Sequence, residues 1–300
     1  MNMLEKNVLI TGSSGLIGTR LTQLLIDNGY KVSNLTNNRN KAHSASNSFY
    51  WNIEEGFIDE AAFNKVDYVI NLAGASIGGG LWTKKRKKLI YDSRVMGTRL
   101  LFDAMTEYNM SLKGYFGASA VGYYGSNESD VPNVETDDFG KGFLAEVCVD
   151  WEKEHAKFHS ISENVCVGRI SNVISKYGGL ADPYKIFSKF GVQIRFSKDS
   201  QLSAWISLED LSNSIFQLLT SPADGTFNLS ADVINWGRLQ KDIYSSLGRQ
   251  WLSIRIPSFM LKIMMGEMSS LMLFSSNVSN KKLLQSSIRP AIGDVQAAMI

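Results

Sequence analysis

The chain has 300 residues, 44% of them hydrophobic, which is enough for a packed core and for one large or two modest domains. A net charge of +2 supplies no global field to attract nucleic acid or a membrane surface, and no apolar run approaches the ~20 residues of a membrane span. The two cysteines, Cys148 and Cys166, form neither a metal-ligand pattern nor a disulfide framework, and M-N-M-L-E-K-N does not read as a signal peptide, so a cytoplasmic protein without metal is expected.

The elements follow in chain order. N-V-L-I-T at 7–11 is a continuous apolar strand, of the kind covered on both faces in a parallel sheet. Residues 16–28 place Ile17, Leu21, Leu24 and Leu25 on one helical face, and Asn28-Gly29 closes the helix. Strands are expected at 31–36, 48–51 and 66–74, the last running into a small-residue turn. A long helix follows at 83–108, a strand at 113–119, a helix at 142–161 and a strand at 165–170. This alternation predicts an α/β fold with a doubly wound parallel sheet. Beyond residue 175 the pattern loosens. Residues 178–184 read as a loop, 204–207 and 226–230 as strands, and 208–219 and 235–247 as helices. The methionine-rich tract at 257–274 reads as core packing, because methionine fills irregular gaps.

The chemistry centres on T-G-S-S-G-L-I-G, Thr11 to Gly18, between the first strand and the first helix. Gly12 permits a tight turn, Gly15 lets backbone approach a diphosphate, and Gly18 lets the helix pack on the sheet. Leu16 and Ile17 open that helix, whose unpaired N–H groups and positive dipole end favour phosphates. Ser13 and Ser14 add hydroxyl donors. A dinucleotide site is expected here. NAD binders place an acid at the end of the second strand. Here L-T-N-N-R-N-K, Leu35 to Lys41, has none and offers Arg39 and Lys41, which favours NADP over the alternative, NAD; both cations otherwise read as solvated loop charges.

Five motifs in order carry a resemblance: T-G-x-x-G-x-x-G, N-L-A-G at 71–74, S-A-V-G-Y-Y-G at 119–125, R-I-S-N-V at 169–173 and W-I-S-L-E-D at 205–210. Together they resemble the extended short-chain dehydrogenase/reductase superfamily. Three further tracts, L-W-T-K-K-R-K-K-L-I-Y-D-S-R at 81–94, F-L-A-E-V-C-V-D-W-E at 143–152 and P-S-F-M-L-K-I-M-M-G-E-M at 257–268, resemble its atypical "epimerase family" branch, akin to nucleotide-sugar epimerases. The resemblance covers nearly the whole chain. It implies a Rossmann-type domain over 1–175, rejoined by 204–230, and a smaller C-terminal substrate lobe from 176–203 and 231–300. It also implies that Leu72, Ala73 and Gly74 lie along the cofactor, that Ser119 lies beside the substrate, and that Tyr124 lines the pocket.

Active members carry Tyr-x-x-x-Lys on the helix after the serine strand. With Glu152 aligned to the trailing glutamate, those positions hold Leu144 and Cys148, which supply neither a proton nor a fixed cation. Ser207 stands where relatives usually have histidine, and Asn37 where they often have arginine. The replacement candidates are Tyr123 and Tyr124, which otherwise pack with satisfied hydroxyls, and Cys148, which reads more simply as an inert buried thiol. Lys84, Lys85, Arg86, Lys87 and Lys88 reach a phosphorylated substrate or form a solvated first turn; Arg94 offers a bidentate clamp. Glu152, His155 and His159 read as a solvent-exposed polar face rather than a metal site, and Gly78-Gly79-Gly80 as a flexible connection. The expected function is an NADP-dependent oxidoreductase or epimerase-like protein acting on a small phosphorylated or nucleotide-linked substrate at Ser119 and Tyr124, with Lys87, Arg94 and Tyr123 around it. The alternative is a catalytically silent dinucleotide-binding module with a regulatory, redox-sensing or scaffold role, which the resemblance links to cell division. Nucleic acid and membrane are not expected partners, and a homodimer is compatible with a sequence that does not fix the oligomeric state.

Overall fold

The computed structural model describes residues 6–42, 47–196, 198–248 and 251–300. Its frame is an eight-stranded sheet in the order β12-β7-β6-β5-β1-β2-β3-β4. The strands are β1 (Asn7–Thr11), β2 (Lys31–Thr36), β3 (Ser48–Asn52), β4 (Phe57–Ile58), β5 (Tyr68–Asn71), β6 (Gly114–Ala120), β7 (Val165–Ile170) and β12 (Gly225–Leu229). All neighbours are parallel except β3 and β4. Val8, Leu9 and Ile10 of β1 have no exposed surface, as a central strand covered on both faces requires.

On one face, helix α1 (Leu16–Asp27) sets Leu21 and Leu25 against Val8, Ile10 and Ile70, beside α5 (Leu208–Thr220) with Leu211, Ile215 and Leu218. On the other, α2 (Lys84–Glu107) sets Leu101 and Met105 against Leu9, Val69 and Tyr115. Thr83 caps α2 by accepting the Arg86 N–H at 3.2 Å. Helix α3 (Phe143–Ala156) follows β6, and its Trp151 packs with Val95 and Ala118.

A second unit surrounds a four-stranded sheet in the order β13-β11-β8-β9, from β8 (Asn172–Ser175), β9 (Gly178–Gly179), β11 (Leu202–Ser207) and β13 (Asp232–Asn235). Its core holds Trp205, Trp236, Leu239, Ile243 and Tyr244, the last four from α6 (Trp236–Ser246). A parallel pair, β10 (Val192–Arg195) with β14 (Leu252–Arg255), lies beside α4 (Asp182–Ser188). The chain ends in α7 (Ser258–Met265), α8 (Ser270–Leu273), α9 (Lys281–Gln285) and α10 (Val295–Ala298). Among the described residues no helix is long and apolar enough to cross a membrane.

Three expectations need correction. Residues 178–184 are not a plain loop: Gly178–Gly179 pairs with β8, and Asp182-Pro183 opens α4, where the fixed φ of proline suits a first turn. Of 204–230, α5 and β12 lie on the large sheet, whereas β11 runs parallel to β8 in the smaller one. The methionine tract is not mainly core. Helix α7 buries Leu261 alone and exposes Phe259, Met260, Ile263 and Met264, because a helix apolar on all sides can cover only one stripe against its lobe.

Candidate functional site

The chain leaves β1 toward β2 and β3, then crosses back to β5, so the order of strands reverses between β1 and β5. In open α/β sheets the crevice outside the carboxyl ends of such strands binds ligands. The glycine turn stands there. Gly12 has φ +72°, and a Cβ on it would sit 2.8 Å from the Leu72 carbonyl oxygen. A Cβ on Gly18 would sit 2.7 Å from Ser13 Cα and deeper still against the Gly12 carbonyl. Gly15 caps α1 in extended conformation without any side-chain cap, so Leu16, Ile17 and the rest of the first turn keep N–H groups to offer. Ser13 and Ser14 line a cavity of about 270 Å³ with Thr19, Gln23, Asn34 and Asn47.

A buried polar chain fixes the neighbouring loop. Thr11 Oγ1 accepts the N–H groups of Leu72 and Ala73 at 3.1 and 3.0 Å and donates to Asn71 Oδ1 at 2.7 Å. This holds Leu72 and Ala73 against the glycine turn, with Gly74 next in the loop. Asn71 Nδ2 donates to Thr98 Oγ1 at 2.8 Å and to the Tyr115 hydroxyl at 3.2 Å. His155 Nε2 lies 2.9 Å from the Ala118 carbonyl, which can only accept, so Nδ1 accepts the Tyr115 hydroxyl at 2.7 Å and the ring is neutral. The expected exposed face of Glu152, His155 and His159 is therefore corrected: His155 has no exposed surface, because Gly117 leaves room for its ring under β6. Burial pushes its pKa down to about 4. The unfolded imidazole protonates near ~6.5. The stability His155 contributes is thus complete above that value, is lost as pH falls toward 4, and totals about 3 kcal/mol. In denaturant unfolding at pH 7.5, 5.5 and 4.5, His155→Gln should flatten this loss; parallel wild-type and variant profiles would contradict it.

Further along the crevice, Ser119 at the end of β6 is 3% exposed and donates to Glu152 Oε1 at 2.6 Å. Glu152 forms a bidentate pair with Arg169, Nε to Oε1 at 2.9 Å and Nη2 to Oε2 at 2.8 Å. Arg169 Nη1 donates to the Tyr124 hydroxyl at 2.8 Å, and its guanidinium lies 3.4 Å from the Tyr123 ring centroid. The Tyr124 hydroxyl donates to Asn228 Oδ1 at 2.7 Å, and burial pushes its pKa up to about 12, against the opposing pull of Arg169. Ser119, Tyr123 and Tyr124 are thus brought together, with the Tyr124 proton already engaged. Cys148 is buried, and burial pushes its thiol up to about 11.

A cavity of about 610 Å³ opens between the two units, lined by Trp82, Gly122, Leu144, Lys262, Glu267 and Phe274 among others. Lys87 stands at its edge, paired with Glu267 and 5.0 Å from the Phe143 ring centroid. In the basic run, Lys84 and Lys85 are exposed, Lys88 pairs with Asp92, and Arg86 bonds to the Ser76 carbonyl. Arg94 Nη1 donates to the carbonyls of Ala75 and Ile90 at 3.0 and 3.2 Å. Arg39 lies outside this group, paired with Glu55 at 3.1 Å and 4.5 Å from the Tyr50 ring centroid. Sequence reasoning missed Glu152, Arg169 and Asn228 as a unit. Arg169 stood in a quoted motif, but nothing local names its partners.

Comparison with known proteins agrees with this geometry. Residues 8–229 match the model of the NAD dependent epimerase/dehydratase family, and 256–298 that of a domain of unknown function, DUF1731. Epimerase family protein SH2119 of Staphylococcus haemolyticus is 29% identical over 93% of this chain and 92% of its own length. Epimerase family protein Mb2239 of Mycobacterium bovis is 34% identical over 74% and 72%. Among solved structures, human epimerase family protein SDR39U1 with NADPH superposes with a TM-score of 0.86 at 22% identity, covering 97% of each chain. UDP-N-acetylglucosamine 4-epimerase of Methanobrevibacter ruminantium, in complex with UDP-N-acetylmuramic acid, gives 0.77 at 19% identity over 99% and 96%. The reversal point, the glycine turn and the motifs that run along the crevice have one common explanation: the chain belongs to the NAD dependent epimerase/dehydratase family.

Proposed function

We propose that this protein binds NADP in the crevice between β1 and β5 and uses it on a small phosphorylated or nucleotide-linked substrate held in the 610 Å³ cavity. The observation that carries this reading is the cradle itself. Gly12 and Gly18 let the turn pack directly on the backbone of Leu72 and Ser13, and Ser13, Ser14 and Thr19, around the uncapped start of α1, line the 270 Å³ cavity. Those residues fit a diphosphate, with Leu72, Ala73 and Gly74 along the dinucleotide. When bound, the cofactor supplies hydride chemistry. Ser119, whose own proton is donated to Glu152, then accepts a hydrogen bond from a substrate hydroxyl and so orients it. Tyr124 serves as a positioning residue through Arg169 and Asn228, since its proton is already donated. Relatives whose structures contain UDP-linked sugars support a nucleotide-linked substrate.

The preference for NADP rests on the absence of an acid at the end of β2 and on Arg39, which would exchange Glu55 for a 2′-phosphate. Fluorescence titration should show NADPH binding at least tenfold tighter than NADH. Arg39→Gln should remove most of that difference while leaving NADH unchanged. Equal affinities in the wild-type protein would overturn the preference.

A second reading, the catalytically silent module, is favoured by one observation. Leu144 lines the cavity where a proton donor is expected, and Cys148 is a buried neutral thiol. Turnover of NADPH against carbonyl compounds and nucleotide sugars separates the two: oxidation with any of them selects the enzyme, and binding without oxidation selects the module.

A further inference from the structure

Arg94 and Arg86 both reach from α2 to the loop that follows β5, and they hold consecutive carbonyls there, Ala75 and Ser76. The loop is shaped around them. A Cβ on Gly74 would sit 2.8 Å from Arg94 Cζ, nearer than to either neighbouring nitrogen, so the glycine lies on the flat face of the guanidinium. A Cβ on Gly79 would collide with Arg86 Nη2. Neither arginine has a carboxylate within ion-pair distance among the described residues. Arg94 Nη1 makes both of its hydrogen bonds, and its Nε and Nη2, the edge that matches two oxygens of one anion, have no acceptor among the described residues. Arg86 Nε is sealed from solvent with no acceptor among the described residues. Burial and the nearby charge of Arg86 both push the pKa of Arg94 down.

Two adjacent guanidiniums, partly desolvated and without an acid, repel each other. Two carbonyls restrain a loop but do not neutralise two charges. Gly74 follows Leu72 and Ala73, which pack on the glycine turn, so the crevice assigned to the dinucleotide lies nearby, as does Cys148, which feels the charge of Arg94. Trp82, one turn before Arg86, lines the cavity. We propose that Arg94 and Arg86 together bind an oxyanion of the substrate, a phosphoryl or carboxylate group, at the loop of residues 74–77. This deepens the proposed function and rests on its assignment of the crevice to cofactor and the cavity to substrate.

The test is calorimetric. Inorganic phosphate, and in a second arm acetate, is titrated into the protein saturated with NADPH, so that the cofactor's own phosphate sites are filled. One saturable site is expected, and the tighter of the two anions identifies the group. Arg94→Gln and Arg86→Gln should each weaken that site roughly tenfold or more, while Lys241→Gln, an exposed cation on α6, leaves it unchanged. Gly74→Ala keeps both charges but displaces the Arg94 plane, and should weaken the site as well. Thermal melting identifies any variant that has not folded. No anion site, or one indifferent to all three substitutions, overturns the proposal. So does a loss of NADPH affinity equal to the loss of phosphate binding, which would assign the arginines to the cofactor. Failure of the wild-type protein to bind NADPH would strike the dinucleotide reading alone, because the same titrations on the free protein still compare the variants.

Discussion

Alanine at Gly18 should abolish measurable NADPH binding and lower the melting temperature by several degrees. The added methyl group would enter a space bounded by the Gly12 carbonyl and by Ser13 Cα at 2.7 Å, both backbone. Neither can turn aside as a flexible side chain would, so α1 must lift from the turn. Overpacking of this kind costs about 1–3 kcal/mol. On the proposed assignment the same movement withdraws the first-turn N–H groups from the diphosphate, and losing two charge-assisted hydrogen bonds, each worth about 1.5–3 kcal/mol, weakens binding by roughly a hundredfold or more, out of the measurable range. Gly293→Ala is the matched control, since nothing stands within 4 Å of its Cβ position and its φ is ordinary. Fluorescence titration and thermal melting check both effects. Undiminished affinity in Gly18→Ala would remove α1 from the cofactor site.

The second large effect concerns Glu152. Its carboxylate receives two hydrogen bonds from Arg169 and one from Ser119, and Arg169 is 3% exposed. Glu152→Ala leaves that guanidinium desolvated without its counter-charge. Breaking one side of a buried pair costs about 3–5 kcal/mol. Urea unfolding should show the loss, and Glu152→Ala combined with Arg169→Met should recover part of it, because the stranded charge is then gone. Under the proposed function, the single variant should also lose turnover beyond what its lowered stability explains, since Ser119 loses its hydrogen bond to Glu152. A cost below about 1 kcal/mol would place the pair among ordinary surface ion pairs.

The readable parts of the molecule are those written in short stretches of chain. Thr11 to Gly18 announces itself, because strand, turn and helix follow within a dozen residues and each glycine has a local reason. The loop at 72–74, of which Leu72 and Ala73 bond to Thr11, drew notice only through the resemblance. The Arg169 unit was not: Glu152, Tyr124 and Asn228 lie 17, 45 and 59 residues from it, and only the sheet order brings β7 between β6 and β12. His155 was misread because a polar residue beside Glu152 and Glu154 looks solvated until the missing side chain of Gly117 makes room for it. Helix α7 was misread in the opposite sense, since composition records apolar content and not which side a lobe covers.

The larger cavity takes one wall from the sheet domain, at Trp82, Gly122 and Leu144, and the other from the stretch 262–274, which belongs to a segment with its own family model. Under the proposed function, substitutions in that stretch should reshape what the protein accepts without disturbing the glycine turn some 250 residues earlier in the chain. On that assignment, selectivity and dinucleotide affinity would lie in separate parts of the gene, free to diverge at different rates.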